Sequence, residues 1–249
     1  RTSSSAASDV YKRQVVAIEL LERNLIDENW QVLCNGEYEF FESTHRCTGS
    51  HGYVNLNDAM TMSCNIFFYE AVQKIKLDNL AKRAKDLFHG LPTGIDLPNE
   101  MKGRVPDRAY MNKLYGTDGW STGALLNISI GQGEVLVTPI QMIAYVNTIA
   151  TSGNYNPIYI VKNKSRSPIS TPISRSTWKK INDYMKNAII DQNGTGRLSD
   201  PKISNLSIYG KTGTAENPHG EPHAWFIGYS DNLKQKNSII ISEMEHHAN

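Results

Sequence analysis

Ser207-Ile-Tyr-Gly-Lys-Thr-Gly-Thr214 is a run of apolar, β-branched and aromatic residues that closes on a lysine, a hydroxyl and a glycine. Its composition predicts a strand over Leu206 to Thr212. Similar runs occur at Tyr155 to Val161, Ala224 to Tyr229 and Ser238 to Ser242, so the strands gather late in the chain. Helical patterns fill the earlier part. Apolar residues at 15, 18, 21 and 25 mark a helix over Val15 to Asn24, and Asn55 to Lys76 carries apolar positions at helical spacing behind an asparagine cap. Thr138 to Thr151 opens with Thr-Pro and stops before Gly153, and a further helix is predicted over Ser176 to Ile190 with Ser176 as its N-cap. Early helices and late strands predict a mixed α/β (α+β) domain. Gly90 to Gly119, rich in Gly, Pro and charge, reads as a long surface loop.

The 249 residues hold 26 lysines and arginines against 25 aspartates and glutamates, a formal charge of +1 that excludes a chain-wide polyanion binder and argues against nucleic acid. Apolar residues at 39% suffice for a core and exclude wholesale disorder. No apolar run approaches the ~20 residues that span a bilayer, and no signal-peptide pattern opens the chain. Residues Arg1 to Gln14, RTSSSAASDVYKRQ, are small and polar, lack periodicity and meet the apolar run from Val15 without a turn. They are expected to be a foreign or disordered leader, with the domain proper over 15–249. Beyond Ser242 the strand pattern breaks off into a polar tail, so both ends read as cut.

A Lys-Thr-Gly triplet arises by chance in roughly one chain in twenty of this length, so Lys211-Thr212-Gly213-Thr214 needs context. On an edge strand it offers a cation, hydroxyls and close backbone to a carboxylate or acyl group. Ser63-Cys64-Asn65 is one of three Ser-x-Asn matches, beside Ser152 with Asn154 and Ser230 with Asn232. It alone sits in a long apolar run, Met60-Thr-Met-Ser-Cys-Asn-Ile-Phe-Phe-Tyr69, where buried polar groups require partners. That placement implies a buried network or the wall of a cleft.

Together these residues resemble the transpeptidase domain of penicillin-binding proteins, in particular the monofunctional (class B) elongation type similar to penicillin-binding protein 2. The likeness runs through His51 to Tyr69, Thr93-Gly-Ile-Asp-Leu-Pro98, Asn127-Ile-Ser-Ile-Gly-Gln-Gly133 with Val137 to Gln141, Gly194-Thr-Gly196, Lys211 to Glu216 and His223 to Tyr229. It implies a fold shared with β-lactamases: a central antiparallel five-stranded sheet flanked by helices, here incomplete at the N-terminus. Ser63 would relay protons, Asn65 would hold the substrate amide, and Lys211, Thr212 and Thr214 would bind a carboxylate, with Gly213 permitting close approach. The implied reaction is acyl transfer from a D-Ala-D-Ala stem peptide of peptidoglycan through a serine ester, the serine that β-lactams trap. The intact protein would then act at the periplasmic face of the bacterial inner membrane, through an N-terminal anchor, beside cell-elongation proteins. A β-lactamase or β-lactam sensor of the same superfamily, or a non-catalytic peptidoglycan-binding scaffold, are the alternatives.

The resemblance places the nucleophile in a Ser-x-x-Lys motif at the start of the helix from Val15, where the chain reads Asp9-Val-Tyr-Lys-Arg-Gln14. The later matches, Ser176 with Lys179 and Ser199 with Lys202, follow Ser63 and fall out of order. This fragment is therefore expected to be inactive. No catalytic cofactor is implied. Three cysteines allow a Cys34–Cys47 disulfide with Cys64 left over. By resemblance to a zinc site in some elongation-type members, Cys34, Cys47, His51 and Cys64 could instead hold a structural zinc, and both readings stand at this level. Gly131-Gln-Gly133 reads as a tight turn rather than a phosphate loop, and His219 and His223 as solvated residues of a hairpin.

Overall fold

The computed structural model describes residues 8–117, 119–120, 122–161, 166–215, 223–232 and 238–245. The first helix, α1 (Ser8–Glu22), runs through the centre of the molecule: Val15, Val16, Ala17, Ile18 and Leu20 are all buried, as expected of a helix apolar around its circumference. It begins earlier than the sequence pattern indicated. Tyr11, Lys12, Arg13 and Gln14, expected to lie outside the fold, form its first described turns and are buried. The segment is carried inward because it continues the helix that the apolar residues after it anchor.

Four short strands follow, β1 (Val32–Cys34), β2 (Glu37–Phe40), β3 (Ser43–Arg46) and β4 (Gly52–Val54), in the segment read as merely polar. β1 pairs antiparallel with β4 and β2 with β3, so Cys34 lies opposite Gly52. Next come α2 (Leu56–Met62) and α3 (Asn65–Val72). The single helix expected over Asn55 to Lys76 is thus broken at Ser63-Cys64. Asn55 and Asp58 form a reciprocal capping box at the start of α2, and Ser63 ends it in the left-handed region at φ 57° and ψ 42°.

α4 (Leu77–Asp86) and α5 (Arg108–Tyr115) follow, the latter capped by Asp107 inside the stretch expected to be loop alone. α6 (Thr122–Ser129) leads into the Gly131–Gly133 turn, where both glycines have positive φ. α7 (Pro139–Ala150) has the expected Thr-Pro start, with a capping box between Thr138 and Gln141. The strand expected over Tyr155 to Val161 shrinks to β5 (Asn154–Tyr155), paired with β6 (Ile169–Ser170), because Asp96 takes the Ile160 and Val161 N–H groups at 2.7 and 3.0 Å. α8 (Arg175–Ile190) is capped by Ser174, which accepts from Thr177 N, two residues before the serine expected to do so.

The late strands are β7 (Leu206–Ala215), β8 (His223–Asn232) and β9 (Ser238–Glu245), antiparallel in that order. Among the described residues this sheet has three strands where five were expected, since the short strands upstream pair with one another. α8 and α1 pack on β7, and one apolar core joins α1, α3, α7 and α8 to Trp225, Ile227 and Tyr229 of β8. Among the described residues no helix is long and apolar enough to cross a membrane.

Candidate active site

Strand alternation decides which β7 residues reach the helices. Lys211 is fully buried, Thr212 is half-buried and Thr214 is exposed, while Gly213 is paired opposite Trp225. The buried ammonium donates to Ser63 Oγ, and also to its neighbour's carbonyl, Thr212 O, at 2.8 Å. Two segments 148 positions apart in sequence therefore meet through one hydrogen bond. Ser63 reaches that position because it ends α2 in the left-handed conformation. For a serine that backbone costs of order 1 kcal/mol, of the kind that persists where surrounding contacts over-determine it.

A third segment completes the group. Beyond α8, Gly194 N donates to Asp191 O at 3.0 Å, Gly196 N to Ala188 O at 2.9 Å, and Thr195 N to Thr61 O of α2 at 3.2 Å. This tight turn sets the Thr195 hydroxyl 3.5 Å from Ser63 Oγ, and it accepts from Thr212 Oγ1 at 2.7 Å. A Cβ on Gly194 would lie 2.4 Å from Ala188 O, so the turn needs a glycine there. Sequence reading gave Thr195 no role. A threonine flanked by glycines on both sides was the available signal.

Asn65 starts α3 and is turned away from this cluster. Its Oδ1 accepts from Arg13 Nη2 at 2.6 Å, and its Nδ2 donates to Arg46 O at 3.1 Å. The structure thus brings Ser63, Lys211 and Thr212 together and gives Asn65 other partners. The lysines of the two out-of-order matches are engaged by carboxylates: Lys179 pairs with Asp183 and Lys202 with Asp200, each at 2.7 Å. His219 and the His223 side chain lie outside the described residues.

The model for the family described as penicillin binding protein transpeptidase domain matches residues 11–248. The chain belongs to that family. Peptidoglycan D,D-transpeptidase MrdA of Haemophilus influenzae is 28% identical over 259 residues, covering 91% of this chain and 39% of that protein. The structure of a penicillin-binding protein (PBP2) from Helicobacter pylori aligns with a TM-score of 0.84 at 29% identity, over 94% of this chain and 44% of that one. A complex between PBP2 and MreC from the same organism gives 0.85 at 27% identity, over 96% of this chain and 46% of the other. The penicillin-binding protein transpeptidase fold is therefore the fold of this chain, which spans less than half the length of these relatives.

On this penicillin-binding protein domain a second cluster backs the first. Cys34, Cys47, His51 and Cys64 place their ligand atoms all within 4.8 Å of one another. His51 Nδ1 is 3.4 Å from Cys34 Sγ and 3.6 Å from Cys47 Sγ, and the Cys47 and Cys64 sulfurs are 3.9 Å apart. All three cysteines are free thiols, so the Cys34–Cys47 disulfide is not formed. The Cys47 thiol is held far below the ordinary range, first by its hydrogen bond with Cys64 and then by backbone N–H groups, while Cys64 is pushed up. Cys64 directly follows Ser63, so one chain break serves both clusters.

Proposed function

We propose that this chain is the substrate-binding portion of a peptidoglycan D,D-transpeptidase of the cell-elongation type. The observation that carries the reading is the buried Lys211 ammonium bonded to Ser63 beside the Thr212 and Thr195 hydroxyls, a concentration of donors suited to the carboxylate of an acyl-D-Ala-D-Ala stem peptide. In the intact enzyme a serine Oγ attacks the penultimate D-alanyl carbonyl and free D-alanine leaves with a proton. An amine of a neighbouring stem peptide then displaces the serine. Lys211 and Ser63 hold and pass the proton beside that serine, Thr212 and Thr214 anchor the carboxylate, and Gly213 lets the tail lie against the strand. Asn65 becomes available to the substrate amide once its bond to Arg13 opens.

No Ser-x-x-Lys motif precedes Ser63 in residues 1–62, so the chain as it stands binds such a peptide without forming the ester. The intact protein works at the periplasmic face of the inner membrane with elongation proteins of the MreC kind, by analogy with the relative solved in such a complex.

The cysteine cluster suits a structural zinc. Tetrahedral coordination at ordinary Zn–S and Zn–N lengths sets S···N edges of about 3.6 Å and S···S edges of about 3.8 Å. The 3.4, 3.6 and 3.9 Å separations fall close to those values. With four protein ligands the metal would tie the β1–β4 segment to the α2–α3 break and leave no position for water. The deciding experiment labels the intact protein and this chain with a fluorescent penicillin. The intact protein is expected to take the label covalently and the chain not to. An intact protein that stays unlabelled would overturn the reading.

A further inference from the structure

We propose that Thr195 is a positioning residue that completes a one-way chain of hydrogen bonds from the Lys211 ammonium to the substrate carboxylate, an inference that rests on the reading of the groove given above. An ammonium has three donors and no acceptor, so Lys211 can only donate to Ser63 Oγ. The Ser63 proton must then point elsewhere, and the Thr195 hydroxyl stands 3.5 Å away, the long edge of a hydrogen bond of the kind that tightens when ligand binds. Thr195 in turn lies 2.7 Å from Thr212 Oγ1. In the free chain Thr212 donates to Thr195. A hydroxyl proton rotates to suit its neighbours. A carboxylate, which only accepts, draws the Thr212 proton outward when it binds. The order then runs from Lys211 to Ser63 to Thr195 to Thr212 to carboxylate, each group donating forward. No covalent bond forms or breaks and no proton changes owner. Bonds in such a series polarise one another, so the buried cation strengthens a contact made by a hydroxyl it does not touch.

The placement of Thr195 is specific to this task. Its side chain is exposed and reachable, yet its backbone is fixed by the bond to Thr61 O and by glycines whose replacement would collide with Ala188 O at 2.4 Å or with Ile189 at 2.7 Å. A carboxamide at the same place offers a weaker acceptor and a competing N–H donor, so the series favours a free acid.

The test is calorimetric titration of the 249-residue chain with N-acetyl-L-lysyl-D-alanyl-D-alanine and with its C-terminal amide. Thr195→Val, which keeps the shape and removes the hydroxyl, is expected to weaken the acid about fivefold or more and leave the amide within about twofold. Thr195→Ala should give the same split, and Thr195→Ser should restore acid binding. Acid binding unchanged in both Thr195→Val and Thr195→Ala, or an equal loss for acid and amide, would overturn the role of Thr195 while leaving the groove in place. No binding of the acid by the unaltered chain, or equal binding by Lys211→Met, would overturn the groove reading and this inference with it.

Discussion

Replacing Lys211 by methionine separates what the lysine does for folding from what it does for recognition. The side chain is completely buried and its ammonium donates to Ser63 Oγ and to Thr212 O. Hydrogen bonds from a charged group contribute about 1.5–3 kcal/mol each, so losing both costs about 3–6 kcal/mol. Against this, the desolvation penalty of a buried ammonium, several kcal/mol in real proteins, disappears. Methionine fills nearly the same volume, which keeps the packing cost below about 1.5 kcal/mol. The opposing quantities nearly cancel, and Lys211→Met is expected to change stability by no more than about 2 kcal/mol. Recognition has no such compensation. Losing a desolvated cation near a carboxylate costs about 2–5 kcal/mol, a fall in affinity of about thirtyfold to several thousandfold. Urea unfolding followed by circular dichroism and titration with the acid tripeptide report the two quantities separately. Near-normal stability with lost binding is the expected pattern. A loss of more than about 4 kcal/mol in stability would make the lysine structural. Unimpaired binding would remove it from recognition altogether.

Other expectations bear on the first helix, the core and the cysteine cluster. Gln14 is fully buried and, among the described residues, neither of its amide atoms has a partner, so Gln14→Leu should raise the urea-unfolding free energy by about 1–3 kcal/mol; a loss would show that the glutamine belongs there. Burial, and secondarily the charge of Lys12, push the His89 imidazole down to about 3. The unfolded chain takes up that proton at the ordinary value near 6.5 while the folded chain does not, so stability falls as pH drops from about 6.5 toward 3. His89→Phe should therefore flatten the acid limb by about 1.5–2 kcal/mol between pH 6.5 and 5, and parallel limbs for the two proteins would refute this. If zinc occupies the Cys34, Cys47, His51 and Cys64 cluster, elemental analysis should find one equivalent. Chelation should then lower Tm by about 5–11 °C, from about 2.7 kcal/mol at metal a hundredfold above its Kd and 2–4 °C per kcal/mol. Absence of zinc in protein purified without chelator would be the contrary result.

Elements with strong local signals were legible in the sequence. The Thr138-Pro139 start appears as a capping box, and the β-branched runs after residue 205 appear as β7, β8 and β9, extended by a few residues at their ends. What escaped reading depended on tertiary partners. The break at Ser63 lies inside an unbroken apolar pattern, because a left-handed serine is enforced by its neighbours rather than by propensity. Residues Tyr11 to Gln14 carry no apolar helix face, yet the buried turns after them hold them in register. Asp96 diverts a strand-like stretch by capturing two of its N–H groups from 64 and 65 positions away. At the site, Lys211 and Ser63 stood out as chemically unusual in apolar surroundings, whereas Thr195 is an ordinary residue whose meaning comes from the turn that carries it.

Three consecutive residues at the α2–α3 break, Ser63, Cys64 and Asn65, face three different neighbourhoods: the β7 lysine, the cysteine cluster, and the β3 carbonyl with Arg13. A shift in any one of them drags the other two, so this corner has little room for gradual sequence drift. Changes that retune ligand preference have more freedom on the Thr195 turn and along β7, whose side chains can vary one at a time.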